Sequence, residues 1–429
     1  MVKDLSLTPP AMRFSRPVLD ATAVALAEVL KLVYPADSVL SRFFRENPKL
    51  GQRDRAVVAE TVYAVLRRRR LLQSLVGGES PRDTAMAAWV VLLGANLREL
   101  ESVARKTELD RLAEIKRDAR APQPFEIECD LPDWLIERLR QRYDDASLLE
   151  LAKGMQRAAP LDLRVNLVRT TRDEVLARLA ADGIAAAATP YSPAGVRLAG
   201  KPAINRHPLF IDGLIEVQDE GSQLLCHLVA PRRGEMVVDF CAGAGGKTLA
   251  LGVMMRSSGR LYAFDVSDKR LGHFKPRLAR SGLSNVHPQR IESERDPRIG
   301  RLAGKIDRVL VDTPCSGLGT LRRNPDLKWR QMPVDVEELA VKQAAILAAA
   351  AKLLKPGGRL VYATCSILED ENKLVVEAFL AAHPDFALRP AGEVLAQERI
   401  DLPMGEYLEL WPHRHGTDAF FAAVLEKQS

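Results

Sequence analysis

Strand-like and helix-like patterns alternate along the C-terminal half of the chain, from about Pro231 onward. The strand patterns lie at residues 235–240, 260–265, 308–312 and 359–363, and the helical patterns lie at residues 247–255, 268–281, 336–355 and 371–383. Because parallel strands need crossover helices between them, this alternation predicts an α/β fold with a doubly wound sheet. Two more strand patterns, at residues 406–411 and 419–426, are expected to form a terminal antiparallel pair.

The preceding part of the chain divides into two segments that differ in their secondary-structure patterns. Helical patterns at residues 18–34, 50–76, 84–93 and 99–117 predict an all-helical region. After a linker marked by Pro122 and Pro124, helical patterns at 132–143, 148–156 and 171–182 are mixed with strand patterns at 161–166, 195–198 and 214–218. We therefore expect three domains, 1–121, 122–230 and 231–429, of which the middle one is a small α+β segment that is either an RNA-binding platform or a structural spacer.

Composition restricts the class of protein. The 429 residues are 47% hydrophobic and 28% charged, which is typical of ordinary folded cores. No apolar run reaches the ~18–20 residues of a membrane span, and the N-terminus lacks a secretory pattern, so we expect a cytoplasmic protein with no membrane contact. Five cysteines without a Cys-x-x-Cys pair argue against disulfides and metal sites. The net charge of +6 is compatible with a polyanionic partner.

A glycine-rich turn follows the first strand of the alternating region. The stretch Asp239–Thr248 reads DFCAGAGGKT, and Cys241 stands where a phosphate-binding P-loop would have its first glycine. Asp265 ends the next strand, where a carboxylate can accept both hydroxyls of a ribose. The pattern therefore predicts a nucleoside cofactor, although it does not separate NAD from S-adenosylmethionine. The alternative is a tight turn without a ligand.

Two cysteines stand at the ends of two later strand patterns. Val309–Gly319 reads VLVDTPCSGLG and carries Cys315, and Leu360–Ser366 reads LVYATCS and carries Cys365. Because ligands bind at the carboxyl ends of parallel strands, both thiols are expected to face one crevice. Taken singly, each cysteine is more commonly a small buried core residue.

These motifs in this order resemble those of the RNA 5-methylcytosine methyltransferases of the RsmB/NOP2/Sun group. The resemblance runs through the C-terminal half and includes the segment 321–329 and the closing stretch 411–421. It implies a class I methyltransferase sheet of the Rossmann-like type. A weaker likeness at residues 51–67 to the NusB-like domain of the bacterial members implies small-subunit ribosomal RNA as the substrate.

The resemblance also implies roles for three residues. Cys365 is expected to be the nucleophile that adds to C6 of cytosine, which makes C5 nucleophilic toward a sulfonium methyl group. Cys315 is expected to assist release of the product. Asp312 is expected to serve N3 and the amino edge of the base, and to border the cofactor. Lys247 and Lys328 are candidate cations for lowering the pKa of the nucleophilic thiol.

The implied cofactor is S-adenosyl-L-methionine. The residues assigned to it by the resemblance are Cys241, Ala242, Gly243, Ala244, Gly245, Gly246, Lys247, Asp265, Arg270 and Asp312. Two departures from the family pattern stand out. The usual Ala-Pro is replaced here by Gly243-Ala244, which predicts a looser loop. The acid that usually borders the adenine has no certain counterpart among Ile291, Glu292 and Ser293.

Basic segments leave alternatives open. Arg67–Arg70 is either an RNA contact or a solvated helix end. Arg322-Arg323 and Lys328-Trp329 are either phosphate and base contacts or an ordinary surface loop. His413 and His415 are expected to lie in a polar loop. The competing functions are methylation of transfer RNA, a non-catalytic assembly factor, and a small-molecule methyltransferase or NAD enzyme. A monomer is expected.

Overall fold

The computed structural model describes residues 12–429. Its α-helices, in chain order, are α1 Arg16–Val29, α2 Ala36–Glu46, α3 Gln52–Arg67, α4 Arg69–Val76, α5 Pro81–Val91, α6 Lys106–Asp118, α7 Phe125–Cys129, α8 Asp133–Arg140, α9 Asp145–Gln156, α10 Arg172–Ala181, α11 Pro208–Ile211, α12 Glu220–Val229, α13 Gly246–Met254, α14 Asp268–Ser281, α15 Pro297–Gly300, α16 Leu327–Arg330, α17 Pro333–Ala351, α18 Lys373–Ala382, α19 Ala391–Gln397 and α20 Pro412–His415.

The strands form two sheets. They are β1 Leu161–Val165, β2 Ala186–Ala188, β3 Gly195–Leu198, β4 Ile215–Val217, β5 Met236–Asp239, β6 Arg260–Asp265, β7 Val286–Arg290, β8 Ile306–Asp312, β9 Leu354–Thr364, β10 Phe386–Arg389, β11 Leu408–Leu410 and β12 Phe420–Lys427. The described chain separates into two compact units. The α/β unit contains 159–319 and 333–429, and the helical unit contains 12–158 and 320–332.

The larger sheet of the α/β unit is doubly wound, as the sequence predicts. Its strand order is β10-β12-β9-β8-β5-β6-β7, and β11 pairs with β12. Strands β9, β8, β5, β6 and β7 are mutually parallel, whereas β12 runs antiparallel to β9, β10 and β11. The predicted terminal antiparallel pair is confirmed as β11 and β12. The strand order reverses at β5 and β8, the position where such sheets open a ligand crevice.

Both faces of this sheet are buried. Successive residues of β5 illustrate the alternation, because Val237 packs into one apolar cluster and Val238 into the other. In β9, Val361 and Tyr362 divide in the same way, and both are fully buried. A parallel sheet that is covered on both faces holds its strand ends rigidly, which gives a fixed edge on which to build a site.

The smaller sheet also belongs to the α/β unit. It is antiparallel throughout and has the order β2-β3-β1-β4. The strands predicted at 161–166, 195–198 and 214–218 are therefore present, and β2 is an additional short strand that the sequence did not reveal. Helix α10 packs on this sheet through Val175 and Leu179.

The helical unit is built around one apolar core. Trp89 is fully buried in it, and its indole Nε1 donates to Thr61 Oγ1 at 2.8 Å. The structure groups α7, α8 and α9 with these helices, and it also adds the segment 320–332. The expected boundary between 1–121 and 122–230 therefore does not coincide with the end of the helical unit. The reason is that Asp130, which follows α7, hydrogen-bonds to the start of α4.

Asp130 explains why the predicted helix 50–76 is two helices. Its side chain is fully buried, and its oxygens accept from Arg70 N at 3.1 Å and from Leu71 N at 3.2 Å. A carboxylate there caps α4, so the chain breaks at Arg68 (φ −124°, ψ 41°) and restarts. Arg68 Nε at 3.4 Å and Lys328 Nζ at 3.6 Å balance the charge.

Lys328 and Trp329 are therefore anchors of the segment 320–332 inside the helical unit. Lys328 Nζ donates to Arg67 O at 2.9 Å and to Asp130 O, and burial lowers the pKa of its ammonium group to about 8. Trp329 Nε1 donates to Leu66 O at 2.9 Å. Neither side chain is available as the phosphate or base contact considered from the sequence, and Lys328 is committed to Asp130 rather than to a thiol.

The arginines that follow α3 are also engaged within the helical unit. Arg68 Nη1 donates to Gln156 Oε1 at 3.0 Å, and Arg70 Nη1 pairs with Asp133 Oδ1 at 2.7 Å. The guanidinium of Arg69 lies over the Trp329 ring, 5.4 Å from its centroid. These contacts agree with neither interpretation of the basic segment. The arginine side chains do not form a solvated helix end, and they are not free to bind phosphate.

Several element boundaries differ from the predictions for local reasons. Helix α1 ends at Val29 rather than near residue 34, and α2 starts directly after Pro35, a residue that disfavours a continuous helix. Helix α17 ends at Ala351 instead of residue 355, and β9 begins at Leu354. Strand β7 lacks an apolar run and that of β10 is three residues long, so neither sequence carries a strong strand signal.

Replacement of Asp130 by Asn should destabilise the helical unit by about 3 kcal/mol, because buried Lys328 and Arg68 lose their counter-charge. The midpoint of urea unfolding, followed by far-ultraviolet circular dichroism, measures the change. Asp133→Asn is the matched control, since that side chain is 70% exposed and its loss should cost at most about 1 kcal/mol. Equal shifts for the two variants would contradict the assignment.

Candidate functional site

The site lies at the carboxyl ends of the parallel strands. In the sheet register, Asp312 of β8 stands opposite Ala363 of β9, and Asp239 of β5 stands opposite Leu310 of β8. Because parallel strands end at the same edge, the loops after β5, β6, β8 and β9 converge there. All the residues that the sequence assigned to the site lie on these loops, at these strand ends, or at the start of the helix that follows.

The two cysteines are in contact. Cys315 Sγ and Cys365 Sγ are 3.3 Å apart, and both thiols are free and partly exposed. The loops that carry them are joined by backbone bonds from Thr313 N to Ala363 O at 3.0 Å and from Gly319 N to Cys365 O at 2.8 Å. Gly319 has no room for a side chain, because a Cβ there would lie 2.7 Å from Cys365 O.

The contact between the thiols affects the protonation of Cys315. The hydrogen bond between Cys315 and Cys365, together with burial, raises the pKa of the Cys315 thiol, and the charge of nearby Glu371 acts in the same direction. Cys315 is therefore held in its thiol form beside Cys365.

An ion pair connects the first turn of α13 with the end of β8. Lys247 Nζ, near the start of α13, lies 2.6 Å from Asp312 Oδ2 at the end of β8. Burial opposes the charge on Lys247, but attraction to Asp312 outweighs it and raises the pKa of the ammonium group, with smaller contributions from Cys226 and Cys365. Asp312 is therefore the principal partner of Lys247.

The glycine-rich turn adopts the conformation that its glycines allow. Gly243 (φ 57°) donates its N–H to Asp265 Oδ2 at 2.8 Å. Gly245 (φ 80°) packs against Phe274, whose ring carbon lies 2.0 Å from where a Cβ would be. Ala242 N donates to Phe264 O at 2.8 Å, which fixes the start of the turn to the end of β6.

Two guanidinium groups hold the carbonyls of this turn. Arg277 Nη1 donates to Ala244 O at 2.7 Å, and Arg164 Nη1 donates to Gly246 O at 2.7 Å. Glu216 on the small sheet orients Arg277 through bonds of 3.0 and 2.8 Å. These contacts support the turn at Ala244, where the sequence led us to expect a loop loosened by the missing proline.

Sequence reasoning did not find these supporting residues. Arg164 lies on a strand of the other sheet, Glu216 lies in a three-residue strand, and Arg277 resembles any cation on an amphipathic helix. Arg164 is buried, and burial lowers the pKa of its guanidinium to about 10. A buried charge in a strand pattern is the only local signal that could have marked it.

Asp265 is placed as a ribose acid would be, and it also organises the backbone. Its Oδ1 accepts from Ser267 N at 2.7 Å, its Oδ2 accepts from Gly243 N, and the side chain is 3% exposed. Arg270 Nη1 lies 3.7 Å from Asp265 Oδ2 with its side chain 60% exposed. A carboxylate oxygen can accept two hydrogen bonds, so each oxygen of Asp265 retains capacity for a hydroxyl donor.

Asp239 and Cys241 line the buried side of the turn. Asp239 Oδ2 accepts from Thr248 Oγ1 at 2.6 Å, and burial raises the pKa of this carboxyl to about 7. Among the described residues its Oδ1 has no hydrogen-bond partner, which marks a place for an incoming donor. Burial also raises the pKa of the Cys241 thiol, in keeping with a pocket wall rather than a nucleophile.

The end of β7 offers an apolar residue next to Asp265. Strand β7 ends at Arg290, and Ile291 N donates to Asp265 O at 3.0 Å while its side chain is 3% exposed in the core. The carboxylate of Glu292 is exposed and pairs with Arg290 at 3.3 Å, and Ser293 Oγ accepts from a backbone N–H. The residue directly after β7 is thus apolar, and the nearest acid along the chain is the exposed Glu292.

No metal centre is evident within 12–429, where no group of three or more His, Cys, Asp or Glu side chains is arranged to hold an ion. His415 Nδ1 accepts from Trp411 N at 2.9 Å, and burial lowers the pKa of this imidazole. Over the same residues, no helix combines the length and apolar character that a membrane crossing requires.

Replacement of Arg277 by Met should loosen the glycine-rich turn, because Ala244 O loses its donor. Hydrogen–deuterium exchange of the peptide covering residues 241–247 should become several-fold faster. Arg280→Met is the matched control. Arg280 pairs with the same Glu216 at 2.5 Å, but within residues 12–429 its side chain does not hydrogen-bond to the turn. If both variants accelerated exchange equally, the bond to Ala244 would not be what orders the turn.

Comparison with known proteins identifies the relatives of this chain. The family described as 16S rRNA methyltransferase RsmB/F matches residues 226–426, and the ferredoxin-like domain of RsmF/B-like methyltransferases matches residues 131–205. The chain is 33% identical over 428 residues to the probable ribosomal RNA small subunit methyltransferase B of Synechocystis sp., with 91% of this chain and 95% of that protein covered.

Solved structures share the fold. The crystal structure of PH0851 matches with a TM-score of 0.76 and 27% identity, covering 97% of this chain and all of that one. NSun6 from Pyrococcus horikoshii with SFG matches with a TM-score of 0.62 over 70% of this chain and 98% of its own, and at 19% identity it shows the fold alone. The length and identity of the Synechocystis match settle the relationship: this chain is an RNA methyltransferase that belongs to the RsmB/F family.

Proposed function

We propose that this protein methylates C5 of a cytosine in small-subunit ribosomal RNA through a covalent bond between Cys365 and C6 of the base. The observation that carries the proposal is the 3.3 Å contact between Cys315 and Cys365 at the edge of the sheet. Two thiols in contact serve a reaction in which one sulfur must bond to the ring and a second group must help to release it. The methyl donor of this family member is S-adenosyl-L-methionine.

The residues at the glycine-rich turn fit this donor. The turn from Cys241 to Lys247 is backed by the unpartnered Oδ1 of Asp239, which suits an ammonium donor of the methionine part. Asp265 is assigned to the ribose hydroxyls, with Arg270 beside it. When bound, S-adenosyl-L-methionine supplies an electrophilic methyl group on a sulfonium centre.

The first step belongs to Cys365 and Asp312. The Cys365 thiolate adds to C6 of the cytosine, and the electron pair of the C5–C6 double bond becomes available at C5 for the methyl group. Asp312 serves N3 and the amino edge of the base. The Lys247 ammonium, 2.6 Å from Asp312, stabilises the negative charge that develops on the ring.

The second step belongs to Cys315. Once Cys365 is bonded to C6, its sulfur carries no charge, so the principal influence that raises the pKa of Cys315 is removed. Cys315 can then lose its proton to solvent water and, as a thiolate, accept the proton on C5. The C5–C6 double bond re-forms as the Cys365 sulfur leaves as a thiolate, and the methylated base is released.

The substrate assignment rests on the relatives and on the charge of the chain. The Synechocystis relative is named for the small ribosomal subunit, and the net charge of +6 suits a polyanion. A base inside a duplex must be splayed out before a thiol can reach its C6. We also propose that the protein acts as a monomer in the cytoplasm, where its free thiols stay reduced. The likeness at residues 51–67 further leads us to propose a NusB-like character for the helical unit.

Replacement of Cys365 by Ala should abolish methyl transfer, because no sulfur is left to activate C5. Replacement of Cys315 by Ala should instead accumulate a covalent protein–RNA adduct, because the proton on C5 is no longer removed. A shifted, nuclease-sensitive band on a denaturing gel detects the adduct. Cys129→Ala, which removes a buried thiol of the helical unit, is the control without an adduct. Normal turnover by Cys315→Ala would contradict the assigned roles.

Incubation with radiolabelled S-adenosyl-L-methionine and total RNA from cells lacking the protein should place 5-methylcytosine in small-subunit ribosomal RNA. Nucleoside analysis after size fractionation is the measurement. Label in the transfer RNA fraction would keep the chemistry and overturn the substrate. Label absent from free RNA but present in assembling small subunits would identify a particle as the substrate.

A further inference from the structure

The two cysteine loops share a buried carboxylate that the chemistry proposed above does not use. Glu371 is fully buried in a short 3-10 helix, Glu369–Glu371, that follows the Cys365 loop. Its Oε1 accepts from Ser316 N at 2.7 Å, and its Oε2 accepts from Ser316 Oγ at 2.5 Å and from Ser366 Oγ. The residues that donate are the immediate neighbours of Cys315 and Cys365.

Among the described residues, hydrogen bonds and not an ion pair stabilise the Glu371 carboxylate. Gln343 Nε2 of α17 donates to Oε1 at 3.0 Å, and the Tyr362 hydroxyl donates to the backbone oxygen of Glu371 at 2.5 Å. No ion pair with this carboxylate occurs among the described residues, so hydrogen bonds from three separate chain segments offset its burial. A buried carboxylate loses that compensation if a donor moves away, and this penalty opposes any displacement of the loops.

The next residue reinforces the same loop. Asn372 Oδ1 accepts from Thr364 Oγ1 at 2.5 Å, and Asn372 Nδ2 donates to Ser366 O at 3.0 Å. The residues on both sides of Cys365 are therefore tied to one dipeptide. Only Glu371 of that dipeptide also reaches the Cys315 loop, through both the backbone and the side chain of Ser316.

We propose that Glu371 is a positioning residue that holds the Cys315 and Cys365 loops at one distance and in one orientation for RNA cytosine methylation. It touches neither sulfur through a hydrogen bond and acts through Ser316 and Ser366. The proposal rests on the assignment of the two cysteines to catalysis. Its electrostatic consequence is separate, because the negative charge of Glu371 helps to keep the Cys315 thiol protonated.

The test is Glu371→Gln, which keeps the size of the side chain and removes its charge and one acceptor oxygen. We expect kcat to fall by about 10- to 100-fold while the KM for S-adenosyl-L-methionine stays within about twofold, since misplacing a reacting group costs rate rather than cofactor binding. Glu377→Gln is the matched control, because Glu377 is half exposed and pairs with Lys373 at 3.5 Å. An unchanged kcat for Glu371→Gln would overturn the proposal.

A second measurement needs neither RNA nor turnover. Alkylation of Cys315 by iodoacetamide, followed by peptide mass spectrometry across a pH series, should shift its midpoint downward in Glu371→Gln, because a negative charge that raises the pKa of this thiol is gone. The ionisable groups that act on this thiol include Cys365, Glu371 and Tyr362. A loosened fold would instead speed alkylation of both cysteines at every pH, and this result would overturn the positioning role.

Two further variants keep the test decisive if Glu371→Gln does not fold. Ser316→Ala and Ser366→Ala each remove one hydroxyl donor while Glu371 stays charged, so each should lower kcat less than the combined variant. If the cysteine variants show that the proposed chemistry is wrong, the alkylation series still reports whether Glu371 acts on Cys315. If Ser316→Ala and Ser366→Ala together leave kcat unchanged, the positioning role is wrong although the chemistry stands.

Discussion

The parallel pairing of β8 and β9 is the constraint on which the site depends. Asp312 stands beside Ala363 in the register, so the residues that follow each of them leave the sheet at the same edge. Both strands are buried on both faces, which prevents a slip that would exchange the two faces. The contact between Cys315 and Cys365 is thus a consequence of sheet register first and of local loop structure second.

Buried or partly buried charges hold several of the loops, and each is compensated differently. Asp130 in the helical unit is met by two cations and two backbone N–H groups, whereas Glu371 is met by neutral donors alone. Lys247 and Asp312 compensate each other. An isolated buried charge lowers the stability of the fold. Removing one partner of a buried pair destabilises the protein by more than the intact pair stabilises it. Such groups therefore fix geometry more than they add stability.

Local patterns predicted the doubly wound sheet, the glycine-rich turn and the cysteine-bearing strand ends because each is encoded in a short run of residues. The supports of these features were not predictable in that way. Arg164 and Gly246 are 82 residues apart, and Ser316 and Glu371 are 55 apart, so no local pattern links them. The helix break at Arg68 and the burial of Lys328 were not predictable for the same reason. Both depend on contacts with Asp130, which is distant in the sequence.

The segment 320–332 has a consequence for folding during synthesis. Asp130 and Lys328 are 198 residues apart, and at 5–20 residues per second the ribosome needs roughly 10–40 s to make the second after the first. During that interval the nascent helical unit lacks Trp329, which packs against its core, and the second of the two cations that pair with Asp130. The helical unit therefore reaches its final structure only after most of the α/β unit has been synthesised, although most of its own residues come first in the chain.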